Sequence, residues 1–318
     1  SALLHRNLLV HHAEKIPPSQ PLIFRGDYRP PFCYQVLRMT NSVSPRQLGE
    51  RARAALRAAL AGSAPDVAID SKGYVADVRD NLIAGVNFTD IEDDFRQGDG
   101  GELEGKFRAA HSSSALAANT FAPFKRAPQE LSLTNQVAFD ALQFERKCPH
   151  GLAGRRPPNL DLVVEGSSGV IGVESKCLEH FSPHRAKFAD AYTAQIHDDR
   201  RNGPWFAQMQ AMLATPDLYR SLDAAQLVKH AFGLAHTFPG RRVHLLYIFW
   251  EPRNADAYAH FRDHRWETER FAAAVAGGVP SFSFMSYADL WRNWEQVAAP
   301  DWLGPHVVRL RARYDLDI

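Results

Sequence analysis

The stretch PPNLDLVVEGSSGVIGVESK, from Pro157 to Lys176, decides how the chain is read. Two apolar runs, NLDLVVEG (159–166) and GVIGVESKCLE (169–179), flank Gly166-Ser167-Ser168-Gly169, a tight-turn signal between two strands. Each run carries charge where a buried strand should be apolar: Asp161 in the first, Glu174 and Lys176 in the second. Residues two apart on a strand face the same side, roughly 7 Å apart, so Glu174 and Lys176 project together. A hairpin centred on 167–168 brings Asp161 across from the Glu174–Lys176 region. The three groups can share one face at one end of a sheet.

Two readings of this cluster stand side by side. In the structural one, Lys176 forms an ion pair with Asp161 or Glu174 at a strand end. In the chemical one, the repulsion between two neighbouring carboxylates is relieved by a hard divalent cation. Mg²⁺ accepts carboxylate oxygens and keeps several waters. Such a cation orients a water and stabilises charge that builds on a phosphodiester. A lysine beside it can position or deprotonate that water, or hold the phosphate.

Reading outward, SPRQLGERARAALRAALAG (44–62) predicts a helix with Ser44 as cap and Pro45 in its first turn. Residues 73–86 fit a strand or a helix equally well. The acidic stretch around 90–100 leads into a loop, and ELEGKFRAAHSSSALAANTF (102–121) predicts a helix. A strand is expected near 140–147 from the alternation of Phe139, Leu142 and Phe144 with polar residues. After the hairpin, LYRSLDAAQLVKHAFGLAHTF (218–238) predicts a helix. RRVHLLYIFWEP (241–252) has the continuous apolar character of a strand covered on both faces. A helix, the strand SFSFMSY (281–287) and a last helix, ADLWRNWEQV, complete the order. The pattern argues for a mixed α/β sheet flanked by helices, with an α-β-β-β-α-β core. The expected division is an N-terminal arm and helix over 1–72 and a domain over 73–318.

Composition narrows the class. The chain has 318 residues, 45% hydrophobic and 23% charged, with a net charge of +1. These are ordinary values for a globular protein. They disfavour a strongly basic nucleic-acid binder but allow a local basic groove. No apolar run approaches the roughly 20 residues that span a bilayer, so no membrane partner is expected. The start SALLHRNLLVHHAEK does not read as a secretory signal. Three cysteines argue against a disulfide framework, and the expected location is the cytoplasm. The phosphate-binding G-x-x-x-x-G-K-[ST], the dinucleotide-binding G-x-G-x-x-G and the zinc motif H-E-x-x-H are all missing, and GSSG is not a G-x-S-x-G elbow. Cys148, His150, Cys177, His180 and His184 have ligand types suited to Zn²⁺, but in no recognised spacing.

The order of these motifs resembles the PD-(D/E)XK nuclease superfamily, whose fold is restriction-endonuclease-like. PPNLD stands where that family has its Asp, and VESK where it has E-x-K. Leu160 replaces the proline that often precedes the Asp. More narrowly, ELEGKFRAAHSSSALAANTF, FERKCPHGLAGRRPPNLD, GVESKCLE, DAAQLVKH and LLYIFWEP resemble a family of uncharacterised restriction-endonuclease-like bacterial proteins, over about residues 73–295. The resemblance implies a metal-dependent DNA endonuclease that leaves 5′-phosphate and 3′-hydroxyl ends, plausible in restriction or host defence. Asp161 and Glu174 would hold Mg²⁺ or Mn²⁺, and Lys176 would assist the attacking water. Glu102, preferred to Glu104 because GGEL fits the family pattern, or Glu145 would complete the cation's shell. Gln226 and Lys229, on the helix after E-x-K, would approach the metal or the phosphate. Lys106, Ser113 and Asn119 are expected to contact nucleic acid. A homodimer suits symmetric cutting of a duplex. Two other readings stay open: a nucleic-acid-binding protein that keeps the fold with little catalysis, and a sugar- or nucleotide-processing enzyme of unrelated α/β fold.

Overall fold

A computed structural model describes residues 43–318, apart from 99–100, 135–137, 153–156, 196–200, 202 and 297–299. The first 42 residues of the expected N-terminal arm lie outside the described residues. The helices and strands are, in chain order, α1 (Pro45–Ser63), α2 (Glu92–Gln97), α3 (Ser113–Phe121), β1 (Phe139–Lys147), β2 (Asn159–Gly166), β3 (Gly169–Lys176), α4 (Asp190–Gln195), α5 (Pro204–Ala214), α6 (Ala224–Thr237), β4 (Val243–Phe249), α7 (Ala259–Ala274), β5 (Ser281–Ser286), α8 (Tyr287–Gln296) and α9 (Leu303–Tyr314). The five strands form one mixed sheet in the order β1-β2-β3-β4-β5, antiparallel from β1 to β3 and parallel from β3 to β5. This is the expected α-β-β-β-α-β core, extended by β5.

The hairpin has the register the sequence suggests. Gly166 pairs with Gly169 and Leu162 with Val173, so Asp161 falls one rung beyond, opposite Glu174. Apolar side chains on both faces fix the sheet between two layers, because a one-residue slip would turn each strand inside out. Leu162, Val164, Ile171, Val173, Leu246 and Ile248 pack into one core with α1, α3, α8 and α9. Leu160, Val163, Val170, Leu245, Tyr247 and Phe249 pack into the other with α5 and α6.

Two glycines let α6 lie close to the sheet, which matters because α6 reaches the charged cluster. A Cβ on Gly172 of β3 would stand 2.7 Å from Leu234 Cδ1, and one on Gly233 of α6 would stand 2.4 Å from the Cys148 carbonyl oxygen. The second obstacle is backbone and cannot move aside. Gly233→Ala is therefore expected to lower unfolding free energy by about 1–3 kcal/mol, read in denaturant titrations. An unchanged midpoint would show that α6 has slack at this point.

Helix α1 forms as predicted. Ser44 and Gln47 build a capping box, with Ser44 N–H donating to Gln47 Oε1 at 3.0 Å and Gln47 N–H to Ser44 Oγ at 3.3 Å. Its buried Leu48, Ala52, Leu56 and Leu60 recur every four residues, and the helix packs against α9.

Three expectations are corrected. The helix predicted over 102–121 begins only at Ser113. Upstream, the backbone is engaged elsewhere: Asn81 Nδ2 donates to the carbonyls of Phe107 (2.7 Å) and Ala109 (2.8 Å), and Val75 N–H donates to Arg108 O at 3.0 Å. The helix predicted over 218–238 starts at Ala224, capped by Asp223. The N–H groups of Arg220, Ser221 and Leu222 donate instead to the Glu267 carboxylate. Finally, α8 is followed by a further helix, α9. A Gly-Pro pair reads as a break there, yet Pro305 lies in the first turn, where its missing N–H costs nothing.

Candidate active site

The charged side chains of the hairpin meet at one end of the sheet. The register that pairs Phe144 with Leu162 and Arg146 with Leu160 sets Glu145 opposite Asp161. Beyond Leu162–Val173, the next rung sets Asp161 opposite Glu174, and Glu174 pairs with Tyr247. Extending these registers aligns Glu145, Asp161, Glu174 and Tyr247, three carboxylates on three neighbouring strands. Lys176 stands two residues beyond Glu174 on β3.

Glu145 sits in the left-handed region with φ of 48°, rare for a residue with a side chain. It belongs to β1, the edge strand, whose outer side is covered by α2. There the Asp94 carboxylate accepts the Phe144 N–H at 2.9 Å and pairs with Lys125 at 2.5 Å. The distortion beside Glu145 is therefore held from outside the sheet. Backbone outliers held in this way cluster at functional sites.

Hydrogen bonds fix the centre. Asp161 Oδ2 accepts the Ser175 N–H at 2.7 Å. Lys176 Nζ donates to Glu174 Oε1 at 2.5 Å and to Gln226 Oε1 at 2.9 Å. His230 Nε2 lies 2.9 Å from Glu174 Oε2, and His230 Nδ1 is buried without a hydrogen-bond partner. On the other face, Ser175 Oγ meets Tyr287 OH at 2.6 Å and the Ser113 carbonyl at 3.2 Å. This ties β3 to α8 and α3.

The same environment splits the two carboxyls. Burial, reinforced by the negative charges of Glu174 and Glu145, pushes the Asp161 carboxyl well above its ordinary range. Burial would raise Glu174 too, but Lys176 and His230 overcome it and hold its carboxylate at about 2. Burial works against the Lys176 ammonium, yet Glu174, Glu179 and Asp161 raise its pKa above the usual lysine value. Beside these carboxylates Lys176 stands as an ammonium, a donor and a positive charge.

This donor set fits a hard divalent cation. Glu174 brings a buried carboxylate that keeps its negative charge, and Asp161 is a carboxyl whose ionisation a nearby cation would favour. Among the described residues, no three His, Cys, Asp or Glu side chains converge as a metal cluster. Two carboxylates alone suit Mg²⁺ or Mn²⁺, which retain water as ligands.

The other residues named from the sequence separate here. Gln226 reaches the centre through Lys176, and Glu145 through the shared rung. Glu102 does not open α3; it stands in the turn before the short 3₁₀ segment Lys106–Arg108. Lys106 is exposed. Ser113 lies on the opposite face of the sheet, where its carbonyl accepts from Ser175 Oγ. Asn119, expected at the phosphates, is buried: its Oδ1 accepts the Ile83 N–H at 2.9 Å and its Nδ2 donates to Asn81 O and Tyr314 OH. It braces the fold. Lys229 lies over the Phe188 ring, its Nζ 5.4 Å from the centroid. Cys148 and Cys177 belong to the two cores on opposite faces of the sheet, so the five zinc-type residues do not gather. His230 and Tyr247, which flank Glu174 here, carry no motif that marks them in the sequence. The i,i+4 spacing of Gln226 and His230 was the available signal for the first.

An α-β-β-β-α-β core carrying D…E-x-K at one end of its sheet defines an α/β protein of nuclease-like fold. Residues 53–315 match the family described as restriction endonuclease associating with ARP, and the chain belongs to that family. No curated protein and no solved structure matches it. Among the described residues, no helix is long and apolar enough to cross a membrane.

Proposed function

We propose that this protein is a metal-dependent endonuclease of the PD-(D/E)XK type that hydrolyses DNA phosphodiester bonds in host defence. The observation that carries the reading is the convergence of Asp161, Glu174 and Lys176 at one rung and its neighbour, in a chain of a restriction-endonuclease family. Asp161 and Glu174 would hold Mg²⁺ or Mn²⁺. Such an ion, when bound, lowers the pKa of a coordinated water and offsets charge building on the phosphate. Lys176 contributes as an ammonium that orients the attacking water or holds a phosphate oxygen. Gln226 keeps that ammonium in place, and Ser175 N–H keeps Asp161 turned toward it. Glu145 adds negative charge that favours a cation. The family to which the chain belongs supports an association with ARP, and a homodimer would suit symmetric cutting of a duplex.

The test is incubation of supercoiled and linear DNA with Mg²⁺ or Mn²⁺, against EDTA and against Glu174→Gln. Metal-dependent cutting with 5′-phosphate ends, lost in the variant, is expected. A well-folded wild type that binds DNA but never cuts it would replace this reading with the non-catalytic one.

A further inference from the structure

Resting on that reading, the geometry points to His230 as a positioning residue that sets the Glu174 carboxylate for the cation. Glu174 is gripped at both oxygens from different elements. Lys176, from its own strand, takes Oε1; His230, from α6, faces Oε2 at 2.9 Å. One turn earlier on α6, Gln226 takes Lys176 at 2.9 Å. The i,i+4 pair Gln226 and His230 thus braces both halves of E-x-K from a single helix face, and Gly172 and Gly233 bring that helix close enough to do it.

Packing alone leaves two features of His230 unexplained. It is 1% exposed in a largely apolar layer, where a leucine or phenylalanine would fill the space without burying polar atoms. Its Nδ1 is buried without a hydrogen-bond partner, and its Nε2 is committed to the Glu174 carboxylate at 2.9 Å. A buried polar group without a partner is costly, and such groups persist where another state satisfies them. A cation at the site would make use of the Nε2 contact: His230 would keep Oε2 oriented while the Glu174 carboxylate holds the ion. Groups that orient a metal-binding carboxylate in this way commonly change metal affinity by about 10–100-fold when removed.

The experiment measures Mn²⁺ affinity by electron paramagnetic resonance in the full chain, for wild type, His230→Phe, His230→Gln and, as reference, Asp161→Asn, with thermal unfolding of each. Phe keeps an aromatic ring without a donor; Gln keeps a donor at similar reach. The expected result is Mn²⁺ binding weakened about tenfold or more in His230→Phe and restored to within about threefold of wild type in His230→Gln. Equal Mn²⁺ affinity in His230→Phe and wild type would overturn the inference and leave the nuclease reading intact. Equal weakening in both His230 variants, tracking a loss of unfolding temperature, would also overturn it by showing a packing role only. Failure of the wild type itself to bind Mn²⁺ would remove the metal reading and this inference with it.

Discussion

Lys176→Met is expected to slow DNA cleavage by about 10²–10³-fold, the scale set by loss of one well-placed donor to developing charge. It should also expose why the lysine is there in the resting protein. Its ammonium is the closest cation to Glu174, at 2.5 Å, and that carboxylate is almost fully buried. Removing one partner of a buried pair strands the other charge at a cost of about 3–5 kcal/mol. Metal-free Lys176→Met should therefore melt well below wild type. A divalent cation can take the ammonium's place beside Glu174, so Mn²⁺ should raise the variant's unfolding temperature more than it raises that of wild type. Calorimetry with and without Mn²⁺, alongside cleavage rates, reads both effects. Cleavage at the wild-type rate, or equal Mn²⁺ shifts in the two proteins, would remove Lys176 from the site.

Asp161→Asn is expected to abolish metal-dependent cleavage while making the metal-free protein more stable. Asp161 has a folded pKa raised above its unfolded value of about 3.8. Between those two values the folded state holds the extra proton, so stability falls as pH rises through that window. At neutral pH the group therefore works against the fold. An amide of the same shape keeps an oxygen for the Ser175 N–H and has no charge to bury. A gain on the order of 1 kcal/mol, or about 2–4 °C in unfolding temperature, is expected at pH 7–8. The gain should shrink toward pH 4. The difference between variant and wild type isolates this group from the buried histidines. Those residues, His264 among them with its pKa pushed down to about 3 by burial, favour the fold as pH rises instead. A destabilised Asp161→Asn at neutral pH would mean that the carboxylate is structural, not held against its preference for a ligand.

Those two effects depend on features of unequal legibility in the sequence. The hairpin was legible because its turn residues and its charges agree: Gly166 and Gly169 close the loop, and the resulting register alone sets Asp161 against Glu174. The sheet's other strands were legible from apolar runs. Where the chain's own preferences were overridden by distant partners, the sequence misled. Residues 102–112 have helical composition, but Asn81 and the 73–75 segment claim their backbone groups. That displaces Glu102 from the helix on which it was placed. Asn119 has the chemistry of a phosphate contact, yet Ile83, Asn81 and Tyr314 engage both ends of its buried amide. Glu145 could be named but not aimed, because its left-handed backbone depends on packing against α2. His230 was hidden by its setting: a histidine on an apolar helix face announces no role until the strand it faces is known.

Crystals soaked in Mn²⁺ and measured for anomalous scattering would test the central claim most directly. The account predicts a peak about 2.0–2.3 Å from both the Asp161 and Glu174 carboxylates, with Lys176 turned from Glu174 but still on Gln226. A metal bound elsewhere in a crystal that cuts DNA, with the Glu174–Lys176 pair undisturbed, would contradict it.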